Sequence, residues 1–216
     1  TPKEKTLEIF GTKQPNKKFK PFHVYSMRQS IHEGFTLDVL QNYSTYKRYF
    51  KVKEIKKDAI EIDTTQGTKE IFNYVDSHKI TIEYKVKIIL DHFLNLSSKE
   101  IQGKSKGMVV VKTRKLCVKY FKEINKQLEE RKSNFRCLVG FSGEVKFKGD
   151  SEKYTEKGLN LTIDHNGEVP LGLKNPKFRL LVVANKFQTG FDEPMLQSMY
   201  IDKSLKDVQC VQTLSR

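Results

Sequence analysis

A run of five consecutive apolar residues near the end of the chain, residues 180–184, constrains the fold most strongly. The run is Leu-Leu-Val-Val-Ala, and its length and two β-branched valines are typical of a strand buried on both faces of a helix-covered parallel sheet. Residues 198–201 are a second candidate for such a strand. Between the two strands lie polar residues and chain-breaking residues: Asn185, Thr189, Gly190, Asp192 and Pro194. Because ligands of open parallel sheets bind outside the carboxyl ends of the strands, we expect this loop to carry function.

A third buried strand is predicted at residues 108–111, Met-Val-Val-Val, and a helix at residues 115–130. The turn between them contains Lys112, Thr113 and Arg114. Backbone N–H groups at a helix N-terminus, with a hydroxyl beside them, can bind a phosphate group. The same residues can equally form an ordinary N-cap, so the residues alone leave both interpretations open.

The next segments complete the predicted domain. Residues 135–141 predict a further strand, which ends at Ser142 and Gly143. Residues 144–177 are polar and rich in Gly and Lys, and we interpret them as a long loop that is either mobile or functional, with one helical turn at 152–157. This order of strands, helices and loops predicts an α/β domain with a mainly parallel sheet.

The first part of the chain carries weaker patterns. Residues 1–22 are typical of a loop with a short extended piece at residues 7–10, residues 22–27 alternate as a strand does, and residues 29–40 show helical spacing. Residues 43–54 alternate aromatic and basic side chains. This pattern favours an edge strand protected by lysines over a platform that stacks single-stranded nucleic acid.

Residues 67–96 predict two helices, of which the second has the clearer apolar stripe. The stripe consists of Val86, Ile89, Leu90, Phe93 and Leu94.

Composition limits the class of protein. The net charge of +14 and the pI near 9.5 favour a polyanionic partner such as nucleic acid over a basic surface without a partner. Cys117, Cys137 and Cys210 are far apart in apolar runs, which predicts reduced core residues in a cytoplasmic protein and neither a disulfide framework nor a metal site. No apolar stretch approaches the roughly 20 residues of a membrane span. The chain does not begin with Met, so we expect an excised fragment.

Three ordered segments in the second half of the chain resemble a known family. Residues 182–194 read VVANKFQTGFDEP, residues 199–203 read MYIDK and residues 211–216 read VQTLSR. In this order they resemble motif V and the start of motif VI of superfamily 2 helicase-type motors, in particular the R subunit of type I restriction-modification enzymes. The opening segment, TPKEKTLEIFG, is similar to the segment after motif III in that subunit. The resemblance therefore covers essentially the whole chain.

This resemblance implies a fold and an activity. It implies the trailing end of a first motor domain with a linker at residues 1–57, and a second RecA-like domain at residues 58–216. That domain would have three layers, with a mainly parallel sheet flanked by helices. The parent subunit would use ATP with Mg²⁺ to translocate double-stranded DNA and would then cut it. The implied partners are DNA and the methyltransferase and specificity subunits of the complex.

The resemblance also implies an ATP site shared with the first motor domain. Gly190 would let the backbone approach the nucleotide, Asp192 would lie near the ribose or the domain interface, and Gln212 would open motif VI. Arg216, the first arginine of motif VI, would be catalytic, because its guanidinium would bind the γ-phosphate and offset charge that develops in phosphoryl transfer.

Contacts to the DNA backbone are implied for polar residues at the ends of the predicted strands. Ala184 stands where many relatives have a threonine that contacts phosphate, so neighbouring polar residues are expected to substitute for it. The predicted DNA-contacting residues are Lys112, Thr113, Arg114, Ser142, Asn185, Lys186 and Thr189.

Several parts of such a motor are missing from this sequence. Gly103, Lys104 and Ser105 match only the end of a phosphate-binding loop, because a strand instead of a helix is predicted to follow. No acidic Mg²⁺-binding motif and no Pro-Asp…Glu-x-Lys nuclease centre is found. We therefore expect the isolated fragment to be inactive, with the Mg²⁺ ligands elsewhere. The alternatives are a non-catalytic nucleic-acid-binding α/β module and the second motor domain of another superfamily 2 helicase.

Overall fold

The computed structural model describes residues 4–16, 18–35, 38, 78–149, 151–187, 191–205 and 213 of the chain. These residues fall into two compact units. Residues 78–204 belong to the larger unit, and the described residues before 39 belong to the smaller unit together with Leu205 and Thr213. The predicted domain boundary at residues 57 and 58, the pattern at 43–54 and the first of the two helices predicted in 67–96 lie outside the described residues.

The smaller unit has two short helices and a hairpin. Its elements are α1 (Glu4–Phe10), β1 (Gly11–Lys13), β2 (Phe19–Pro21) and α2 (Met27–His32). The two strands pair antiparallel. The prediction of a loop over residues 1–22 is therefore wrong for most of its described part, and the extended piece predicted at residues 7–10 is instead part of helix α1.

The predicted strand at 22–27 is also wrong, and the helix predicted over 29–40 is shorter than expected. Ser26 acts as an N-cap, since its Oγ accepts a hydrogen bond from the backbone N–H of Gln29 at 3.1 Å, and this starts α2 where a strand was expected. The helix ends at His32, and Gly34 then adopts a left-handed backbone conformation with φ of 79°.

The larger unit contains the main sheet. Its helices are α3 (Lys79–Asn95), α4 (Glu100–Gly103), α5 (Arg114–Glu130), α6 (Glu156–Leu161) and α7 (Val169–Gly172). Its strands are β3 (Lys106–Val111), β4 (Arg136–Gly140), β5 (Glu144–Val145), β6 (Tyr154–Thr155), β7 (Phe178–Val183) and β8 (Leu196–Asp202). Four strands form a parallel sheet in the order β4-β7-β3-β8, and β5 pairs antiparallel with β6.

The central strands of the sheet are β3 and β7, and every residue of both is buried. Their apolar runs have no polar alternation because helices cover both faces. The strand register puts Gly107 and Leu138 on opposite faces. A Cβ on Gly107 would lie 3.2 Å from Phe93 of α3, and a Cβ on Gly172 of α7 would lie 2.8 Å from Leu138. The predicted mixed α/β fold with a parallel sheet between helices is thus confirmed, and it is consistent with a RecA-like domain.

The two long helices follow the predicted apolar spacing. Leu116, Tyr120, Ile124 and Leu128 of α5 are all buried, and so are Val86, Ile89, Leu90 and Phe93 of α3. The predicted strand at 198–201 is present as β8, but it is an edge strand and its residues are only half-buried. None of the helices among the described residues has the length and apolar character needed to cross a membrane.

The segment predicted as a long loop, residues 144–177, is instead ordered into the β5–β6 pair and helices α6 and α7. Its helix begins at Glu156 and not at residue 152, because the Thr155 hydroxyl caps it by accepting a hydrogen bond from Gly158 N–H at 3.1 Å. Leu159, Ile163 and Val169 anchor the segment in the core. These apolar residues are separated by polar ones, so the composition of the segment did not reveal them.

Candidate nucleic-acid interface at the strand carboxyl ends

The turn after β3 supplies the first polar group of the site. Thr113 has an extended backbone, and its Oγ1 accepts a hydrogen bond from Leu116 N–H at 3.2 Å, so it is the N-cap of α5. Lys112, Thr113 and Arg114 are all exposed. The N-cap interpretation is confirmed, and the exposed side chains of Lys112 and Arg114 flank this cap at the edge of the sheet.

Arg114 joins the end of β3 to the end of β4. Its Nη1 donates a hydrogen bond to the backbone oxygen of Ser142 at 3.0 Å. Gly143 makes this contact possible, because it has φ of 77° and a Cβ on it would lie 2.8 Å from Arg114 Nη1. The exposed Ser142 and the guanidinium of Arg114 therefore lie side by side.

The loop after β7 lies next to them. Asn185 is exposed and has φ of 63°, and Lys186 donates its backbone N–H to the Ala184 oxygen at 2.8 Å. Phe187 covers the end of β4, where a Cβ on Gly140 would come within 2.8 Å of its ring. Glycine at position 140 thus allows the loop to fold over β4 and present Asn185 and Lys186 at the same edge.

Glu156, at the start of α6, is a site residue that the sequence interpretation missed. Its two carboxylate oxygens lie 2.8 and 2.9 Å from Lys186 Nζ. One of them also accepts the backbone N–H of Phe141 at 2.8 Å. No local pattern marks this glutamate, because its role depends on chain segments 15 and 30 residues away.

The end of β8 contributes a second carboxylate that the sequence interpretation missed. Asp202 accepts hydrogen bonds from Lys85 Nζ of α3 at 2.7 Å and from the Tyr120 hydroxyl of α5 at 2.5 Å. Burial lowers the pKa of the neighbouring Lys203. The carboxylates of both Glu156 and Asp202 are thus engaged in contacts within the fold.

Comparisons with known proteins identify relatives of the whole chain. A family model described as type I restriction enzyme subunit R domain 3 matches residues 163–216. The endonuclease subunit of a type I restriction enzyme from Staphylococcus aureus (strain COL) is 25% identical over 98% of the chain. A putative type I endonuclease subunit from Methanocaldococcus jannaschii is 28% identical over 89% of it.

The chain is similar over nearly its whole length to the R subunits of type I restriction enzymes.

The chain is much shorter than the R subunits that it matches. It spans 23% of the length of the S. aureus subunit and 21% of that of the M. jannaschii subunit. The predicted resemblance to the R subunit is confirmed.

The R-subunit resemblance also predicted ATP-site and DNA-contacting residues that the structure does not place at this edge. Asp192 is exposed and precedes Glu193, whose carboxylate pairs at 2.9 Å with Lys106, the first residue of β3. Asp192 therefore lies toward the amino ends of the strands, away from the strand carboxyl ends. The other implied positions are outside the described residues: Thr189, Gly190, Gln212 and Arg216.

The side chains at the carboxyl edge of the sheet are suited to binding anions. Lys112 and Arg114 are exposed beside the polar groups of Thr113, Ser142 and Asn185. Among the described residues, no three His, Cys, Asp or Glu side chains converge to hold a metal ion. Cys117 and Cys137 are buried, and burial raises the pKa of both thiols, which makes them poor nucleophiles.

Proposed function

We propose that this chain is part of the R subunit of a type I restriction enzyme, an ATP-dependent DNA translocase and endonuclease. Within that subunit the chain contributes contacts to the backbone of double-stranded DNA and the trans half of the ATP site. Its similarity to R subunits over nearly its whole length supports the proposal. In the cytoplasm, the R subunit would act with the methyltransferase and specificity subunits.

One observation carries the DNA-binding part of the proposal. Three strands of a parallel sheet end at one edge, and each is followed by exposed polar or cationic residues. The strand-end cluster, as we call it, consists of Lys112, Thr113, Arg114, Ser142, Asn185 and Lys186. Phosphate contacts in DNA complexes come largely from such lysine, arginine, hydroxyl and amide groups and from helix N-termini. The net charge of +14 favours the same partner.

The ATP part of the proposal involves residues largely outside the described ranges. Of Gly190, Asp192, Gln212 and Arg216, only Asp192 is described, and its exposed carboxylate would face a ribose hydroxyl more readily than a phosphate. We assign the Mg²⁺ ligands to the rest of the subunit, because the sequence of this chain contains no acidic Mg²⁺-binding motif. When bound, ATP would supply the energy for translocation.

Fluorescence anisotropy with a labelled duplex of arbitrary sequence tests the proposed DNA contacts. We expect a dissociation constant on the order of 10⁻⁴ to 10⁻⁶ M at physiological salt, with log affinity falling linearly with log salt. Replacing Lys112 and Arg114 by Gln should lower the salt slope by about 1 to 2, at about 0.9 per phosphate contact. The matched control replaces Lys87 and Lys104, which are exposed elsewhere. Equal affinities for the two double variants would overturn the assignment of the strand-end cluster.

The non-catalytic binding module is the alternative, and the full-length subunit distinguishes it. DNA-stimulated ATP hydrolysis by the full-length protein supports the R-subunit assignment. DNA binding without any ATPase activity in the full-length protein would favour the binding module instead.

A further inference from the structure

Helix α5 carries a line of lysines that starts beside the strand-end cluster. Lys115, Lys119, Lys122 and Lys126 follow one another at intervals of four, three and four residues, which places them on one face of the helix. We call them the lysine stripe. At a rise of 1.5 Å per residue the stripe is roughly 16 Å long. Because α5 begins at the carboxyl edge of the sheet, the stripe leads from that edge toward the amino ends of the strands.

A groove lies along the distal half of the stripe, between α5 and residues 152–164. It consists of two adjoining depressions of about 440 and 350 Å³, which share Phe121, Lys122 and Thr162 in their walls. Five cations and three acids line the two depressions. These residues are Lys122, Lys126, Arg136, Lys153, Lys177, Glu129, Glu152 and Asp164.

Contacts within the fold orient two of these cations. Lys122 Nζ lies 4.0 Å from the centroid of the Tyr154 ring, which holds the ammonium at the boundary between the two depressions. Arg136 Nη1 donates to the backbone oxygens of Ser133 and Phe135, both at 2.8 Å, which anchors one side of its guanidinium. These contacts use no acidic partner, so they fix the positions of the charges without neutralising them.

The remaining cations are paired only in part. Lys177 lies 3.1 Å from Asp164, and Lys153 lies 2.8 Å from Glu144. Lys126 is 53% exposed and lies 3.8 and 3.7 Å from Glu123 and Glu130, distances too long for strong pairs. The residues that line the groove are five cations and three acids, and three further acids, Glu123, Glu130 and Glu144, pair with two of the cations from outside it. Lys122 and Arg136 are the lining cations whose contacts described above are to a ring and to backbone oxygens.

We propose that the lysine stripe and its groove form a second contact surface for the backbone of duplex DNA, continuous with the strand-end cluster. This inference rests on the proposed DNA-binding function and extends it to a different face of the domain. Phosphates of one strand advance about 3.4 Å along the duplex axis, so a 16 Å line of lysines is comparable with four or five phosphates. A single small anion would use one or two of these charges, whereas a polyanion uses a line of them.

The test compares three double variants of the full chain by anisotropy over a range of salt concentrations. Lys122→Gln with Lys126→Gln probes the stripe, Lys112→Gln with Arg114→Gln probes the strand-end cluster, and Lys87→Gln with Lys104→Gln is the control. Glutamine keeps much of each aliphatic stem, and thermal melting checks that each variant folds. For the stripe variant, we expect the slope of log affinity against log salt concentration to be smaller in magnitude by about 1 to 2. We also expect it to bind duplex roughly tenfold more weakly at 0.1 M salt.

The outcomes separate this inference from the function on which it rests. If the stripe variant binds duplex like the control while the strand-end variant is weakened, the second surface is overturned and the proposed function stands. If the unmodified chain does not bind DNA at all, both fail. A stripe variant that loses affinity for a single strand but keeps its affinity for duplex would also overturn the proposal, because the surface would then serve another form of nucleic acid.

Discussion

Glu156 and Lys186 form an ion pair at the carboxyl edge of the sheet, with both carboxylate oxygens within 2.9 Å of the ammonium nitrogen. Because Glu156 also accepts the Phe141 N–H, it ties helix α6 to the ends of both β4 and β7. The charge of Lys186 is therefore balanced inside the fold. A DNA phosphate that contacts Lys186 would have to compete with this carboxylate.

Removing the charge of Glu156 should strengthen DNA binding. Glu156→Gln keeps an acceptor for the Phe141 N–H but leaves the Lys186 ammonium without its counter-charge. We expect the salt slope to steepen by about 0.9 and the affinity at 0.1 M salt to rise several-fold. Anisotropy measures both quantities. Glu100→Gln, at an exposed position near the opposite edge, is the matched control, and an unchanged slope for Glu156→Gln would show that Lys186 takes no part in binding.

Asn160 should be one of the most sensitive positions for stability. Its side-chain amide donates a hydrogen bond to the backbone oxygen of Val139 at 3.0 Å and accepts one from the backbone N–H of Val139 at 2.9 Å, on the outer edge of β4. Asn160 is only 1% exposed. Asn160→Ala would leave a buried N–H and a buried C=O without partners. We expect a loss of about 2 to 4 kcal/mol in the free energy of unfolding, measured by urea denaturation.

Asn125 provides the comparison for Asn160. It makes the same pair of bonds with Cys137, at 3.0 and 2.9 Å, but it is only partly buried. Water can replace some of its contacts, so Asn125→Ala should cost less, on the order of 1 kcal/mol. The reverse ranking of the two variants would contradict this account of the edge strand.

Alkaline pH should destabilise the domain through Tyr200. Burial raises the pKa of Tyr200 to about 12, from a usual value of 10.0. The folded state therefore holds this proton more tightly than the unfolded state does, and stability is lost as the pH rises from about 10 toward 12. The loss attributable to Tyr200 is at most roughly 3 kcal/mol.

Tyr200→Phe isolates this contribution. The buried thiols of Cys117 and Cys137 also have raised pKa values and weaken the fold at high pH, but they are present in both proteins. Urea denaturation at pH 8 and pH 11 should show a smaller loss for Tyr200→Phe than for the unmodified chain. Equal losses would mean that ionisation of Tyr200 does not destabilise the fold.

Arg216 should be required for ATP hydrolysis in the full-length subunit. If its guanidinium reaches the γ-phosphate, Arg216→Ala should reduce DNA-stimulated turnover by on the order of 10³ or more while DNA binding persists. Arg216→Lys should restore little activity, because an ammonium does not reproduce the planar guanidinium. Phosphate release at saturating duplex measures the effect.

The control for Arg216 is Arg131→Ala, which removes an exposed ion pair with Asp91 at the end of α5 and should leave turnover unchanged. A loss below about tenfold for Arg216→Ala, roughly 1.4 kcal/mol of barrier, would remove it from the catalytic residues. The 216-residue chain alone should release no phosphate above background.

The sequence alone predicted the centre of the larger unit. The uninterrupted apolar runs of β3 and β7 and the helical spacing in α3 and α5 depend on neighbouring residues only, and the short length and β-branched residues of the two runs favour buried strands. The same reasoning located Thr113, Arg114, Ser142 and Asn185, because polar residues that come after parallel strands must share an edge.

The sequence did not predict the short elements or the residues that pair over long distances. Leu7 and Ile9 of helix α1 alternate with Glu8 and so predicted an extended piece, whereas the β1–β2 hairpin contains few apolar residues and showed no periodicity. The segment at 144–177 looked like a loop because its core residues are single and widely spaced.

The tertiary structure alone decided the strand order β4-β7-β3-β8, the placement of Asp192 toward the amino ends, and the pairing of Glu156 with Lys186. The sequence by itself determined that β3, β7, α3 and α5 contribute to the core, since their burial follows from local composition and spacing. Strand order and ion pairs depend instead on which distant segments meet. Packing of the whole core decides which segments become neighbours, and the sequence around each segment does not indicate its partner.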